Sequence, residues 1–573
     1  MEQEMIPPGV FPEQAPEKKH HKIRLHFTGW NAVTLAILLF FALFFVYPLI
    51  TILAKSVYNF DTHSFDFTQF NEFFTNKYGY YQKTVWNSVK VSLLSALIAT
   101  TLGTILAYVL CTTKIYGAKI IKTILLITMV TPPFLSSYAW IILLGRAGII
   151  TKWLNTIGIA YQGIYGFSGI CFVFSIKLIP LVNLYVSGAL KQVDKSLLEA
   201  SESLGGHGVA RFFKVVLPLI LPTILASAVL VFMRVISDFG VPSLIGEGYR
   251  TLPTLIYNLY TSDVQENEPL AATICLATIV ITLVIFLVQR WLSNRKKIAM
   301  SALRPIEPTK QGTVVEVFSH IFVYILLALL ILPMLIVVIQ SFKDSTNVVM
   351  SGSYTFQNYI TIFTTSSILR SIGNTFLYSF IALAIVILLG ILISYLSVRK
   401  SSHITKFIDT LSNLPFIIPG SVLGIALLFA FNKPPFALIG TAAIIVLNYI
   451  IRRLPYTIRS STAILHQIDL NVEEASQSLG ANPFKTFFKV TIPMMMPGVM
   501  SGATMSWLSI ITELSGSIIL YSNKTKTMSI EIFNAISTGA YGYGAALSTL
   551  LMLISTITLL IFFKLSGKKE ISI

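Results

Sequence analysis

The sequence predicts an all-α polytopic membrane protein with two six-helix repeats. Hydrophobic residues make up 54% of its 573 residues, and charged residues make up only 12%. A soluble domain carries about 25% charged residues, so most of the surface of this chain is expected to face lipid. Twelve apolar runs of spanning length and one polar motif that occurs twice complete the prediction.

The twelve apolar runs have the length of about 20 residues that a membrane-spanning helix needs. They lie near residues 32–54, 88–112, 120–144, 168–190, 218–240, 267–290, 318–340, 374–397, 406–431, 436–456, 494–520 and 543–563. The first run follows the basic stretch from Lys18 to Arg24, and no small-residue cleavage site comes after it. An uncleaved first span is therefore predicted.

Basic residues collect in the loops on one side of the predicted bundle. These loops hold Lys191, Lys195, Arg211, Lys214, Arg399, Lys400, Arg452, Arg453, Arg459, Lys485 and Lys489, among others. Lysine and arginine are enriched in cytoplasmic loops, so we expect a multi-pass protein with both termini in the cytoplasm. The same bias explains the net charge of +17, and no basic patch with interleaved aromatic residues indicates nucleic-acid binding.

The polar motif Glu-Ala-Ser-x-Ser-Leu-Gly occupies residues 199–205 and again residues 474–480. The same shift in residue number relates Pro218 to Pro493, and we call it the motif offset. Upstream, Asn87 and Asn374 align at a larger offset, so the first half holds twelve extra residues, which we place between residues 145 and 166. Both motifs are predicted on the cytoplasmic side, so the repeats are parallel and not inverted.

Each motif lies in a loop that we name the first polar loop (residues 191–218) and the second polar loop (residues 459–493). Asp194 and Asp469 can cap a short helix, and Gly205 and Gly480 can end it in a left-handed conformation. A second short helix is predicted to run to Pro218 or Pro493. An amphipathic linker is the simpler alternative, but connections between helices usually need far fewer than about 25 residues. A docking surface is therefore favoured.

The duplicated pattern resembles the EAA loop of permease subunits of bacterial type I ABC importers, although both copies have Ser where the family usually has Ala. The resemblance implies the transmembrane fold of that family in the bacterial cell membrane, with about twelve spans. It implies that each polar loop docks on one of two copies of an ABC ATPase subunit. The docking residues would be Glu199, Ala200, Ser201, Gly205, Glu474, Ala475, Ser476 and Gly480.

The same resemblance assigns the chemistry to the partners. The chain contains no phosphate-binding G-x-x-x-x-G-K-[ST] motif, so it is expected to be a transport subunit and not an enzyme. It would bind no cofactor, while ATP and Mg would be held by the ATPase. An extracytoplasmic substrate-binding protein would deliver the substrate, and membrane lipid would surround the spans.

The predicted domain order has five parts. A cytoplasmic tail (residues 1–30) precedes the first transmembrane domain (residues 31–291). A charged, proline-containing linker (residues 292–316) leads to the second transmembrane domain (residues 317–565), and residues 566–573 form the C-terminal tail.

Ionisable residues inside spans are the default candidates for a transport pathway. Asp238 and Glu513 occupy equivalent places at the motif offset, and an acidic pair between the halves would suit a cationic substrate. The alternative is that Arg234, one helical turn before Asp238, neutralises it. Glu513 has no basic residue nearby in sequence. Asp238, Glu513 and Arg234 are therefore candidates for a pathway or gate, and no metal site is assigned.

The sequence indicates the class of transporter more specifically than it indicates the substrate. Residues 238–242, Asp-Phe-Gly-Val-Pro, and the fusion of two halves in one chain resemble the ferric iron importers, and Fe(III) prefers oxygen ligands. Related permeases for thiamine, 2-aminoethylphosphonate or polyamine remain alternatives. A secondary transporter or channel is the alternative from a different class.

Overall fold

The structure, a computed structural model, describes residues 29–59, 63–76, 78–206, 208–261, 267–295, 304–310, 312–345, 350 and 352–566. The basic N-terminal stretch, linker residues 296–303 and the tail beyond residue 566 lie outside the described residues. The predictions made for those segments are therefore not tested.

The described chain is almost entirely helical. The helices of the first half are α1 Gly29–Phe41, α2 Tyr47–Val57, α3 Thr68–Thr75, α4 Tyr80–Thr112, α5 Ala118–Val130, α6 Pro133–Leu144, α7 Ile149–Thr156, α8 Gly166–Leu190, α9 Lys195–Ser203, α10 Gly208–Arg211, α11 Leu217–Ile236, α12 Gly240–Ile245, α13 Leu252–Thr261 and α14 Glu268–Arg295. Those of the second half are α15 Thr313–Ser341, α16 Gln357–Thr364, α17 Ser366–Arg399, α18 His403–Asn413, α19 Gly420–Phe431, α20 Ala442–Gln467, α21 Leu470–Ser478, α22 Pro483–Thr486, α23 Ile492–Ile511, α24 Ser517–Leu520, α25 Met528–Ser537 and α26 Tyr541–Ser566.

Short irregular elements complete the fold. Three π-helical turns, Ala42–Val46, Phe212–Val216 and Phe487–Thr491, continue directly into α2, α11 and α23, and a 3₁₀ turn, Leu414–Phe416, follows α18. Strands β1 Tyr58–Asn59 and β2 Ser64–Phe65 form one small antiparallel ribbon, with Tyr58 opposite Phe65.

The internal repeat is visible in the helix boundaries. Helices α6 and α19 have equal lengths and are related by the larger offset, the one that aligns Asn87 with Asn374. Helices α9 and α21 also have equal lengths and are related by the motif offset. The twelve extra residues of the first half therefore lie between α6 and α8, where α7 has no counterpart. The predicted position of the insertion is confirmed.

Ten helices of the described chain are long and apolar enough to cross a membrane, and eleven if the pair 403–416 and 420–431, bent by 113°, is one span. The predicted runs 120–144 and 406–431 are each broken into two helices, with Pro132 and Pro419 as the N-caps after the breaks. Proline ends a helix because it lacks an N–H and clashes with the preceding turn. Residues 442–456 of the predicted run 436–456 lie in α20, which is too rich in arginine to qualify by composition.

Equivalent helices form the core of each half. Helix α4 packs on α8 and α11, and α17 packs on α20 and α23. Two glycines allow this close approach: a Cβ on Gly103 would lie 2.6 Å from Val182 Cβ, and a Cβ on the equivalent Gly390 would lie 2.6 Å from Thr457 Cγ2. Small residues at such crossings let membrane helices pack backbone to backbone.

The two halves are interlocked by their first spans. Helix α2 packs on α19 of the second half, and α15 packs on α6 of the first half. Near the start of α1, the Trp30 ring stacks on Phe484 with centroids 4.8 Å apart. Tyr138 donates a hydrogen bond of 2.6 Å to the carbonyl oxygen of Tyr541. Just beyond the ends of α11 and α23, Gly240 and Leu514 meet at the interface between the halves.

Candidate functional site

The two polar loops share their helix bounds and their capping residues. Asp194 accepts a hydrogen bond of 2.9 Å from the Ser196 N–H, and Asp469 accepts one of 3.0 Å from the Asn471 N–H. Both predicted caps are therefore confirmed. The short helices α9 and α21 end before Gly205 and Gly480, whose φ angles are +80° and +87°. Only glycine adopts this conformation without a steric cost, so the predicted stop signals are confirmed as well.

The second helix of each polar loop does not stop at Pro218 or Pro493, so that prediction is wrong. Helix α10 continues through the first π turn into α11, and α22 continues through the second into α23. In each π turn, the carbonyl oxygen of the first residue accepts a hydrogen bond from the N–H of the residue five positions later. In the first turn, the Leu217 N–H donates to the Phe212 carbonyl oxygen. The π turn accommodates the proline that follows, which cannot donate a hydrogen bond. Each polar loop is thus joined rigidly to a spanning helix.

Aromatic residues fix the start of these long helices against the core. The Phe212 ring lies 4.8 Å from Tyr108, and the Phe487 ring lies 4.6 Å from Tyr395, its counterpart. Phe213 and Phe488 point outward and are exposed. They are suited to contact lipid headgroups.

The outer face of each short helix is exposed. Leu204 and Leu479 are 88% and 89% exposed although both are large and apolar. Glu199, Ala200, Glu474 and Ala475 are exposed beside them, and Ser201 and Ser476 are half-buried. The face therefore combines an acidic group, small residues and an apolar tip.

The two polar loops are anchored differently. Glu473 is buried and pairs with Arg399, whose Nε lies 2.9 Å from its Oε1. The residue equivalent to Glu473 in the first half is Leu198, which packs in the core. Helix α9 is held instead by the linker: the Lys195 N–H donates to the Arg304 carbonyl at 2.8 Å. The exposed faces of α9 and α21 are thus alike, while the contacts that hold the two helices in place differ.

Glu513 lies just beyond the end of α23 and is buried between two arginines. Arg452 and Arg453, neighbours on α20, both donate to its carboxylate. The Glu513 carboxylate also accepts a hydrogen bond of 3.0 Å from the Gly516 N–H. The expectation that Glu513 lacks a basic partner holds for nearby sequence only, because both of its partners lie on a different helix.

Asp238 has the same local role as Glu513 but different neighbours. Its carboxylate accepts a hydrogen bond of 2.9 Å from the N–H of Val241, three residues later in the chain. The Glu513 carboxylate accepts the equivalent hydrogen bond from the N–H of Gly516. Arg234 bonds to the Tyr456 hydroxyl at 3.4 Å, and no ion pair between Arg234 and Asp238 is found among the described residues. The alternative that Arg234 neutralises Asp238 is therefore not supported.

The assignment of Arg452 and Arg453 to a cytoplasmic loop is wrong. Both lie near the middle of α20, and their side chains are largely buried. The internal repeat could have placed Arg452 in a helix from sequence alone, because the motif offset relates Arg452 to Lys177, which lies in a predicted span. Lys177 is buried in α8 and donates to the Thr128 carbonyl. Each half thus carries one buried basic side chain at this position.

Among the described residues no group of three or more His, Cys, Asp or Glu side chains could hold a metal ion.

Comparison with known proteins places the chain in a family. A family model described as binding-protein-dependent transport system inner membrane component matches residues 99–298 and 386–569. A ferric transport system permease protein of Actinobacillus pleuropneumoniae is 29% identical over 549 residues, covering 94% of this chain and 78% of the relative. A putative ferric transport system permease protein of Haemophilus influenzae is 30% identical, covering 87% and 79%.

A shorter relative and a solved structure match only part of the chain. A molybdenum transport system permease protein of Escherichia coli is 30% identical over 213 residues, covering 36% of this chain and 91% of the relative. A solved bacterial ABC transporter involved in the import of alginate is 17% identical, with a TM-score of 0.36, and covers 44% of this chain and 96% of the solved one. The family model, matched in each half, decides the assignment: the chain belongs to the family of binding-protein-dependent transport system inner membrane components and carries its domain twice.

Proposed function

We propose that this protein forms the membrane pathway of an ATP-driven importer of ferric iron. The observation that carries the proposal is the similarity to ferric transport permeases across both halves, over 94% and 87% of the chain. A putative 2-aminoethylphosphonate permease of Salmonella typhimurium is 25% identical and covers 44% of the chain. The molybdenum permease covers 36%. Ferric iron is therefore the first substrate to test.

The polar loops are the proposed contacts with two ATPase subunits, which would hold ATP and Mg. Each loop presents Glu199 or Glu474 beside an exposed leucine, and the short helices α9 and α21 have the same length. Two equivalent surfaces on one chain suit two copies of one partner. A substrate-binding protein is the proposed partner on the opposite, extracytoplasmic side, with both termini of this chain in the cytoplasm.

The continuous helices supply the proposed coupling. From Gly208 to Ile236 the helix is unbroken, a length of roughly 40 Å at about 1.5 Å per residue. A displacement of the first polar loop would therefore move Asp238, just beyond the end of this helix. The helix from Pro483 to Ile511 would move Glu513 in the same way.

The interface between the halves is closed beside these two residues. Phe239 is fully buried, with its ring 4.6 Å from Tyr257 and 5.4 Å from Phe533 of the second half. A Cβ on Gly240 would lie 2.7 Å from Phe134 Cβ. In the proposed cycle, ATP binding draws the polar loops together and separates this aromatic contact. Hydrolysis then restores it.

Deleting this chain is expected to reduce uptake of radiolabelled ferric iron by at least about tenfold, with restoration by the wild-type chain. Uptake is measured in iron-starved cells, and thiamine and 2-aminoethylphosphonate uptake serve as controls. Normal iron uptake with loss of either control substrate would refute the proposed substrate and retain the importer.

A further inference from the structure

An exposed arginine lies between the two halves of the chain. A pathway that carries a bare cation is not expected to contain an exposed arginine, because like charges repel. Arg234, in the last turn of α11, is exposed, and it forms a 3.4 Å hydrogen bond with Tyr456 of the second half. It also lies within electrostatic reach of Tyr185 and of the buried Lys177, both on α8. Residues from both halves therefore surround this guanidinium.

A second exposed arginine, Arg459, lies on α20 at the first residue of the second polar loop. Its Nε donates to Asn413 at 3.1 Å, and its guanidinium lies 4.8 Å from the centre of the Phe416 ring. The Phe416 ring also lies 4.8 Å from the ring of Tyr456, the residue that bonds to Arg234. The two guanidinium groups thus mark one continuous region between the halves, on the side of the aromatic contact that faces the polar loops.

The acidic residues nearby do not balance these cations. Glu513 is occupied by Arg452 and Arg453, so that cluster retains one positive charge. Asp409 lies within reach of Arg459. Asp238 uses its carboxylate to cap the next helix. Four arginines, Arg234, Arg452, Arg453 and Arg459, therefore stand against three carboxylates in this region. An excess of positive charge of this kind attracts anions and repels cations.

We propose that the pathway between the halves is selective for an anionic substrate species. For the proposed substrate this means that ferric iron crosses while bound to oxyanion ligands, carboxylate or phosphate, with a net negative charge, and not as the bare ion. Hard ferric iron prefers such oxygen ligands. The inference rests on the proposed function for the identity of the metal, but its charge selectivity follows from the arginines.

The test uses the complete importer in proteoliposomes, with the ATPase and the iron-loaded binding protein. One arm supplies labelled iron with labelled phosphate, and the other supplies labelled iron with labelled citrate. The expected result is ATP-dependent entry of at least one labelled oxyanion with each iron in one of the arms. Entry of iron without either oxyanion would overturn the inference and leave the proposed iron function standing.

Substitution of Arg234 gives a second readout. Arg234→Glu is expected to lower uptake about tenfold or more, while Arg234→Lys stays close to wild type because it keeps the charge. Arg370→Glu, at an exposed arginine near the start of α17, is the matched control, and ATPase co-purification verifies folding. Uptake by Arg234→Glu at or above the wild-type rate would overturn the inference. A third outcome is that iron does not enter, while phosphonate enters in a reaction that needs both ATP and Arg234. That outcome would refute iron as the substrate and support the anionic pathway.

Discussion

Reversing the charge on both polar loops, by Glu199→Arg with Glu474→Arg, is expected to abolish ATPase co-purification and ATP-driven uptake. Both carboxylates are exposed on equivalent faces, beside leucines that are almost fully exposed. A misplaced charge at an interface costs several kcal/mol, and a loss of about 2 kcal/mol at each loop lowers affinity roughly thirtyfold. The fold should persist, because neither side chain is buried.

The matched control reverses two exposed charges elsewhere, Lys119→Glu with Lys406→Glu. These lysines are also repeat equivalents, related by the same offset as α6 and α19, and lie in the first turns of α5 and α18. The control should retain the ATPase and most uptake. A loop variant that keeps a full complement of ATPase and imports normally would show that the polar loops are linkers and not docking surfaces.

The second large effect is expected from Glu513→Gln, which leaves Arg452 and Arg453 buried without a counter-charge. Breaking a buried ion pair by removing one partner costs about 3–5 kcal/mol. Asp238→Asn is the matched comparison at the equivalent position. Asparagine still offers an oxygen to the Val241 N–H, and Asp238 forms no ion pair with the described residues. The cost should therefore stay near about 1 kcal/mol.

Thermal unfolding of the purified variants in detergent measures this difference. Glu513→Gln should melt clearly below wild type, and Asp238→Asn should melt close to it. Adding Arg452→Gln and Arg453→Gln to Glu513→Gln should recover part of the loss, because the unpaired buried charges are then removed. Equal melting of the two single variants would contradict a structural role for the Glu513 cluster.

The polar loops could be predicted from sequence because their determinants are local. Asp194 and Asp469 cap the helices that immediately follow, and Gly205 and Gly480 end them. Such signals need no knowledge of distant residues. The twofold occurrence of the motif also located the insertion that contains α7.

The charge cluster could not be predicted because its partners are distant in sequence. Glu513 looked unpaired, whereas Arg452 and Arg453 reach it from another helix. Positive charge alone suggested a loop for these arginines, and only comparison with Lys177 in the first half would have placed one of them in a helix. The π turns before Pro218 and Pro493 also have no local sequence signal, because a proline after a polar segment usually indicates a new helix.

The stoichiometry of the purified complex tests the central claim most directly. Two equivalent polar loops on one chain predict one copy of this protein with two ATPase subunits in native mass spectrometry. The double loop variant should give the free chain. A wild-type complex with a single ATPase subunit, or with none, would contradict an importer driven through both loops.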